Sequence, residues 1–164
     1  MSTRVPIIWA AGEGEKLTFL GGGLHTWKLT TDDTDGAFFM FEDVMGRGKC
    51  TPLHRHPEAD EIAYVLEGEI VVNIDGEESR VSAGGMTFTP RGVPHAFLVV
   101  SDTCRILALQ TPGIGQAFYR GASEPAIDDA CEAVDIARLQ MSAQENPRGI
   151  ELLGPPPFAP VNAG

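Results

Sequence analysis

Between Leu17 and about Gln110 no apolar stretch runs more than a few residues before turn-forming chemistry interrupts it. "GGG" at Gly21 to Gly23, "TDDTDG" ending at Gly36, "IDGE" around Asp75 and Gly76, "AGG" at Gly84 and Gly85, "PRGVP" at Pro90 to Pro94 and "SDT" at Ser101 each suit a tight turn. Between them lie "FFMFEDV", "EIAYVLEG", "EIVVNID", "MTFTP", "HAFLVV" and "RILALQ", rich in β-branched and aromatic residues and too short for good helices. Short strands at such close intervals predict an all-β sandwich or barrel. The 164 residues suffice for one domain with a sizeable core. Three parts are expected within it: an N-terminal arm and first strands (1–37), a barrel core (38–112), and a C-terminal strand, helix and Pro-rich tail (113–164).

Beyond "TPG" at Thr111 to Gly113 the pattern changes. From Asp128 to about Gln144, a stripe at Cys131, Val134, Arg138 or Leu139, and Met141, with acids early and Arg138 late, predicts one helix. "NP" at Asn146 and Pro147 stops it, and "LGPPPFAPVNAG" is too rich in proline for regular structure, so an extended surface tail is expected.

Charge and cysteine narrow the functional classes. Lys and Arg total 12 against 23 for Asp and Glu, a formal net charge of -11, which repels phosphate backbones and anionic membranes. No nucleic-acid or membrane partner is expected. The three cysteines, Cys50, Cys104 and Cys131, are odd in number and widely spaced, unlike a disulfide framework or a CxxC zinc site, and fit a reducing cytoplasm.

The chemistry gathers in "GRGKCTPLHRHPEADEIAYVLEG". His54 and His56 are two apart, so on a strand both imidazoles point to one face, and Pro52 and Pro57 keep the segment extended. Glu61 opens the next strand across a short bend, and His95 opens "HAFLVV" after the rigid "PRGVP" turn. Three neutral imidazoles and a carboxylate suit one divalent transition ion, Ni, Fe, Mn, Co, Cu or Zn, rather than Ca or Mg. Four protein ligands in a six-coordinate shell leave two positions for a small-molecule substrate and dioxygen. Glu58 and Asp60 are rival carboxylates in the same bend, read as solvated loop charges, and His25 is read as a structural or surface residue. Cys50 shares strand parity with His54 and His56, so an unbroken strand turns its thiol inward. Ala63 and Val65 share the ligand face with Glu61, and Phe97 and Val99 that of His95, giving a largely apolar cavity wall. Ile62, Tyr64 and Leu66 point outward and need cover from an arm or a second subunit, so a homodimer is expected.

The same residues carry a family resemblance. Gly48, five residues, His54, one, His56, four, Glu61, six, Gly68, followed after fifteen residues by Gly84, five, Pro90, one, Gly92, two, His95, match the two motifs of the cupin superfamily. The family's final Asn falls at Val99. "GGGLHTWKLT", "DTDGAFFMFEDVMGRG", "TPLHRHPEADEIAYVLEGE", "TPRGVPHAF" and "GIELLGPPP" extend the likeness to cupins of the quercetin dioxygenase type. The resemblance implies a jelly-roll-like double-sheet β-barrel, with the C-terminal helix and extended arms added from the pattern above. It also implies a metal held by His54, His56, Glu61 and His95, with Glu61 taking a proton from the substrate's hydroxyl. The expected function is a metal-dependent dioxygenase of an apolar or aromatic hydroxylated substrate such as a flavonol. The alternatives are an isomerase, lyase or decarboxylase that uses the metal without dioxygen, or a non-catalytic small-molecule-binding cupin.

Overall fold

A computed structural model describes residues 4–19, 21–127 and 136–159. Its strands are β1 (Glu15–Phe19), β2 (Gly23–Leu29), β3 (Phe39–Gly46), β4 (Leu53–Arg55), β5 (Asp60–Glu67), β6 (Glu69–Ile74), β7 (Glu77–Ser82), β8 (Met86–Thr89), β9 (His95–Val99), β10 (Thr103–Thr111), β11 (Glu124–Pro125) and β12 (Glu151–Gly154). Two helices, α1 (Gln116–Gly121) and α2 (Ile136–Glu145), lie among the described residues. Neither is long and apolar enough to cross a membrane.

The strands form two antiparallel sheets, ordered β11-β1-β2-β3-β10-β5-β8 and β12-β4-β9-β6-β7. Alternation decides what lies between them. In β3 the buried residues are Phe39, Phe41, Asp43 and Met45, each two apart. In β6, Ile70 and Val72 are buried and Ile74 turns the same way. Met45, Val65, Ile70, Val99, Cys104 and Ile106 meet as one buried apolar cluster closing one end of the interior. Val99 is 1% exposed within it, so the position where cupins carry Asn is here part of the hydrophobic floor.

Several turns behave as their residues demand. Asp75 and Gly76 both have positive φ, 54° and 85°, the backbone of a two-residue I′ hairpin joining β6 to β7. Strand β7 was not among the candidates, because "EESRVS" is almost wholly exposed; Arg80 and Ser82 instead hydrogen-bond the Glu69 carboxylate across the pair. A charged edge of this kind resists pairing with another sheet.

The C-terminal region departs furthest from expectation. Residues 128–135, with Cys131 and Val134, lie outside the described residues, so the expected helix is seen only as α2. There Leu139 is buried as the pattern predicts, joined by Ser142 and Ala143, while Met141, expected on the same stripe, is exposed. A second helix, α1, was not foreseen: at six residues it is too short to show a helical period, and packing of Phe118 against Phe19, Leu139 and Ile150 holds it. A C-terminal strand is present as expected: Glu151 and Leu152 pair with Arg55 and His54, making β12 an edge strand beside β4, and of the Pro-rich tail only Leu153 and Gly154 belong to it.

Gly68 joins β5 to β6 with φ at 81°, and a Cβ there would collide with the Thr103 carbonyl and the Ser101 hydroxyl. Gly68→Ala is therefore expected to cost about 2 kcal/mol or more, read as a lowered urea midpoint with unchanged slope. An unchanged midpoint would contradict this account of the turn.

Candidate metal centre

Both sheets contribute to one cluster at the other end of the interior. His54 and His95 are directly opposed partners of β4 and β9, and His56 follows one residue beyond β4. Glu61 comes from β5 in the facing sheet, flanked by Gln110 and Thr89. Two staples hold the loops. The Arg91 backbone and guanidinium both donate to the Asp60 carboxylate, and the Gly92 N–H donates to the His56 carbonyl at 2.8 Å, tying the "PRGVP" turn to the histidine segment. Arg148 donates to both oxygens of Glu58, drawing the C-terminal segment over the same place. The rival carboxylates are thus committed to arginines.

His54, His56 and His95 are 6%, 1% and 6% exposed, and one nitrogen from each lies within 4.8 Å of the others. Each ring is oriented through its other nitrogen: Nδ1 meets the Pro52 carbonyl at 2.8 Å in His54, the Gly149 carbonyl at 2.7 Å in His56 and the Val93 carbonyl at 3.0 Å in His95. A carbonyl only accepts, so every Nδ1 carries the proton, and in the neutral ring Nε2 presents a lone pair. Burial, with His95 and His56 beside it, pushes the His54 pKa down to about 3, so this ring is neutral at physiological pH.

Glu61 supplies the negative charge. Its Oε2 lies 2.9 Å from His56 Nε2 and its Oε1 3.3 Å from His95 Nε2. Two electron-pair donors this close repel unless a positive charge, a proton or a metal ion, sits with them. Burial alone would protonate the carboxyl, but the His56 and His95 rings outweigh it and hold Glu61 well below the usual carboxylate range. Burial likewise opposes protonation of His95, and the Glu61 carboxylate overcomes it, raising that ring's pKa. Nε2 of His56 and of His95 are buried without a hydrogen-bond partner. Orphaned, inward-facing imidazole nitrogens beside an ionised carboxylate are the donor set that a divalent transition ion takes, so these residues fit such an ion.

Two contributors were not read from the sequence. Tyr119, on α1, hydrogen-bonds Glu61 Oε2 at 3.2 Å, and burial with the adjacent carboxylate raises its pKa well above that of a free phenol, so it remains a donor. Gly149 offers the carbonyl that orients His56. No motif spacing points to either, since they reach the site from a segment packed across the barrel. For Cys50 the condition of an unbroken strand is not met: it lies outside β4 and lines a smaller pocket with Phe118, Leu139 and Ile150 rather than the main cavity. His25 is not at the surface; it is 1% exposed, stacked between Phe19 and Phe41 at 4.7 and 4.1 Å between ring centres, outside the histidine cluster.

The cluster opens on a cavity of about 700 Å³ of non-protein space, its mouth included. Ala63 and Phe97 line it as strand parity predicts, joined by Ile74 and Ile106, whereas Val65 and Val99, expected on the same wall, are packed in the closed apolar cluster instead.

Comparison with known proteins agrees with this geometry. The family model described as a cupin domain matches residues 40–109. The chain is similar to quercetin 2,3-dioxygenase of Bacillus subtilis (strain 168), 27% identical over 121 residues, covering 74% of this chain and 36% of that protein. It is also similar to polyketide synthase CurC of Streptomyces cyaneus, 30% identical over 132 residues, covering 77% of this chain and 84% of that protein. Among solved structures, KdgF from Halomonas sp. matches with a TM-score of 0.60 at 20% identity, over 66% of this chain and 94% of that one. The polyketide cyclase RemF from Streptomyces resistomycificus matches with a TM-score of 0.56 at 26% identity, over 66% and 80%. The chain thus spans about a third of the quercetin dioxygenase but most of CurC. Two facing antiparallel sheets, three inward imidazoles and these similarities place the chain in the cupin family.

Proposed function

We propose that the chain is a metal-dependent dioxygenase acting on an aromatic, hydroxylated small molecule such as a flavonol. The observation that supports it most is the set of inward-facing histidine nitrogens, beside the Glu61 carboxylate, at one end of an apolar cavity. A bound divalent ion, Ni, Fe, Mn, Co, Cu or Zn, would supply Lewis acidity toward a substrate hydroxyl and a binding point for dioxygen. His54, His56 and His95 would hold it, with Glu61 as the fourth ligand. Glu61 also accepts the proton of the substrate hydroxyl, a role that its low pKa restricts to a hydroxyl already acidified. Tyr119 keeps that carboxylate aimed by donating to Oε2. The apolar wall seats an aromatic ring and excludes water from the reacting edge.

A second reading keeps the site but not dioxygen: the metal serves as a Lewis acid in isomerase-, lyase- or decarboxylase-type chemistry on a small hydroxy or keto compound. The similarity to CurC over 84% of its length, with that to the polyketide cyclase RemF, favours it. Oxygen uptake with flavonols after loading with Ni, Co, Mn or Fe separates the two. Uptake supports the first reading, conversion without oxygen the second, and no conversion under either condition contradicts both. In the active form, Glu61→Gln is expected to lower turnover about a hundredfold. Tyr119→Phe should lower it roughly tenfold with the metal retained.

Metal binding has its own readout. A transition ion at about a hundred times its dissociation constant is expected to stabilise the fold by about 2.7 kcal/mol, reversed by chelator and absent in His54→Ala. A melting temperature indifferent to every ion tested would count against the site.

The second copy expected from the outer face is also proposed. Tyr64, Met86 and Phe88 are exposed on paired strands β5 and β8, and among the described residues β8 is an open edge of its sheet. An apolar strip beside an unpaired edge is self-complementary under a two-fold axis. Light scattering is expected to give twice the chain mass, falling to one in Phe88→Asp; a single chain mass across a broad concentration range would refute the dimer.

A further inference from the structure

The cavity that begins at the histidines also reaches a second group of ionisable side chains, on different strands. His25 and Asp43 are directly opposed on β2 and β3, and Lys49 enters from the turn after β3. All three line the cavity together with His54, Glu61 and His95, and they are 1%, 4% and 6% exposed. The family motifs do not include them as ligands, and the reaction proposed above makes no use of them.

We propose that Asp43, Lys49 and His25 form a second binding site in this cavity, which receives a hydroxyl group of an aromatic small molecule whose other polar end lies at the histidine cluster. Unused hydrogen-bonding capacity is the first reason. Lys49 Nζ, Asp43 Oδ1 and His25 Nδ1 are buried and have no hydrogen-bond partner among the described residues, each a costly state for a polar atom. Lys49 Nζ stands 3.8 Å from Asp43 Oδ2, beyond hydrogen-bond range, so the pair leaves its donors and acceptors open.

Space has been kept for these groups. A Cβ on Gly23 would collide with Lys49 Nζ and the Asp43 carboxylate, so the strand facing them carries no side chain there. Stability alone is a weak reason for this arrangement, because apolar residues of similar volume often replace a buried ion pair without loss, and neighbouring Met45, Val65 and Val99 fill adjacent space in that way. Position is fixed as well, by the stacking of His25 between Phe19 and Phe41 and by Lys49 Nζ lying 5.3 Å from the centre of the Phe19 ring.

The donor pattern selects the ligand. His25 Nε2 faces Asp43 Oδ2 at 3.4 Å, which places its proton on Nε2 and leaves Nδ1 as an acceptor. Burial outweighs the Asp43 charge and lowers the His25 pKa, which favours that neutral ring. The open groups are therefore one donor group, the Lys49 ammonium with its three N–H bonds, and two acceptor atoms, Asp43 Oδ1 and His25 Nδ1. A hydroxyl accepts from the first and donates to one of the others. A carboxylate has no proton to donate, and a carboxylate or phosphate alike brings negative charge against Asp43, so a neutral alcohol or phenol is preferred.

This inference rests on the reading of the cavity as the substrate chamber, though not on any reaction. The test is the affinity of metal-loaded protein, without oxygen, for 2-naphthol and 2,6-naphthalenediol, probes that differ by one distal hydroxyl. The diol is expected to bind about tenfold more tightly to the wild type, and to lose that advantage in Lys49→Met and in Asp43→Asn while 2-naphthol affinity holds. Equal affinities in the wild type would overturn the site without recourse to any variant, and so would an advantage that survives in a folded Lys49→Met protein. Should no substrate ever turn over, the proposed reaction fails and this comparison still decides the site; turnover with equal affinities reverses that outcome.

Discussion

Three backbone carbonyls, at Pro52, Val93 and Gly149, govern the chemistry of this chain. By accepting from Nδ1 they fix the rotation and the tautomer of three imidazoles together, and Nε2 is left as a lone pair aimed inward. Nothing else about a buried histidine guarantees that outcome. With Glu61 opposite, the site concentrates electron-pair donors in a poorly solvated space, an arrangement that is stable only around a positive charge. The barrel serves this by bringing His54 and His95 into register on one sheet while Glu61 projects from the other.

The interior is graded rather than uniform. Histidines and Glu61 occupy one end, Met45, Val65, Val99 and Cys104 close the other with hydrocarbon and a thiol, and the polar group of His25, Asp43 and Lys49 also opens on the cavity. Val99 explains how a family position can change without harm to the ligands: its side chain belongs to the closed end, where an apolar group packs well. An aromatic cavity wall with separate polar groups suits a flat molecule with more than one oxygen.

Much of this was readable from residue order, for definable reasons. Strand positions followed from alternation and turn residues, because a sheet buried on one face imposes a period of two. The histidines followed from parity and from prolines that restrict the backbone around them. Asp43 carried a signal that was passed over: an acid in phase with Phe39, Phe41 and Met45 sits on the core face. Tyr119 and Gly149 carried none, since their hydrogen bonds to Glu61 and His56 cross 58 and 93 positions of sequence and depend on how α1 and the last strand dock. β7 was missed because an exposed edge strand needs no apolar alternation. The inward turn of Cys50 depended on an unbroken strand, and the interruption before β4 cancels the parity that would have produced it.

The claim beneath the rest is that three Nε2 atoms share one cation. X-ray absorption at the metal edge of protein carrying one equivalent of Co or Ni addresses it without any assumption about substrate. The account requires a nitrogen and oxygen shell at about 2.1 Å with outer-shell scattering from three imidazoles, falling to two in His95→Ala. A spectrum showing only water and carboxylate, or thiolate sulfur, would contradict it.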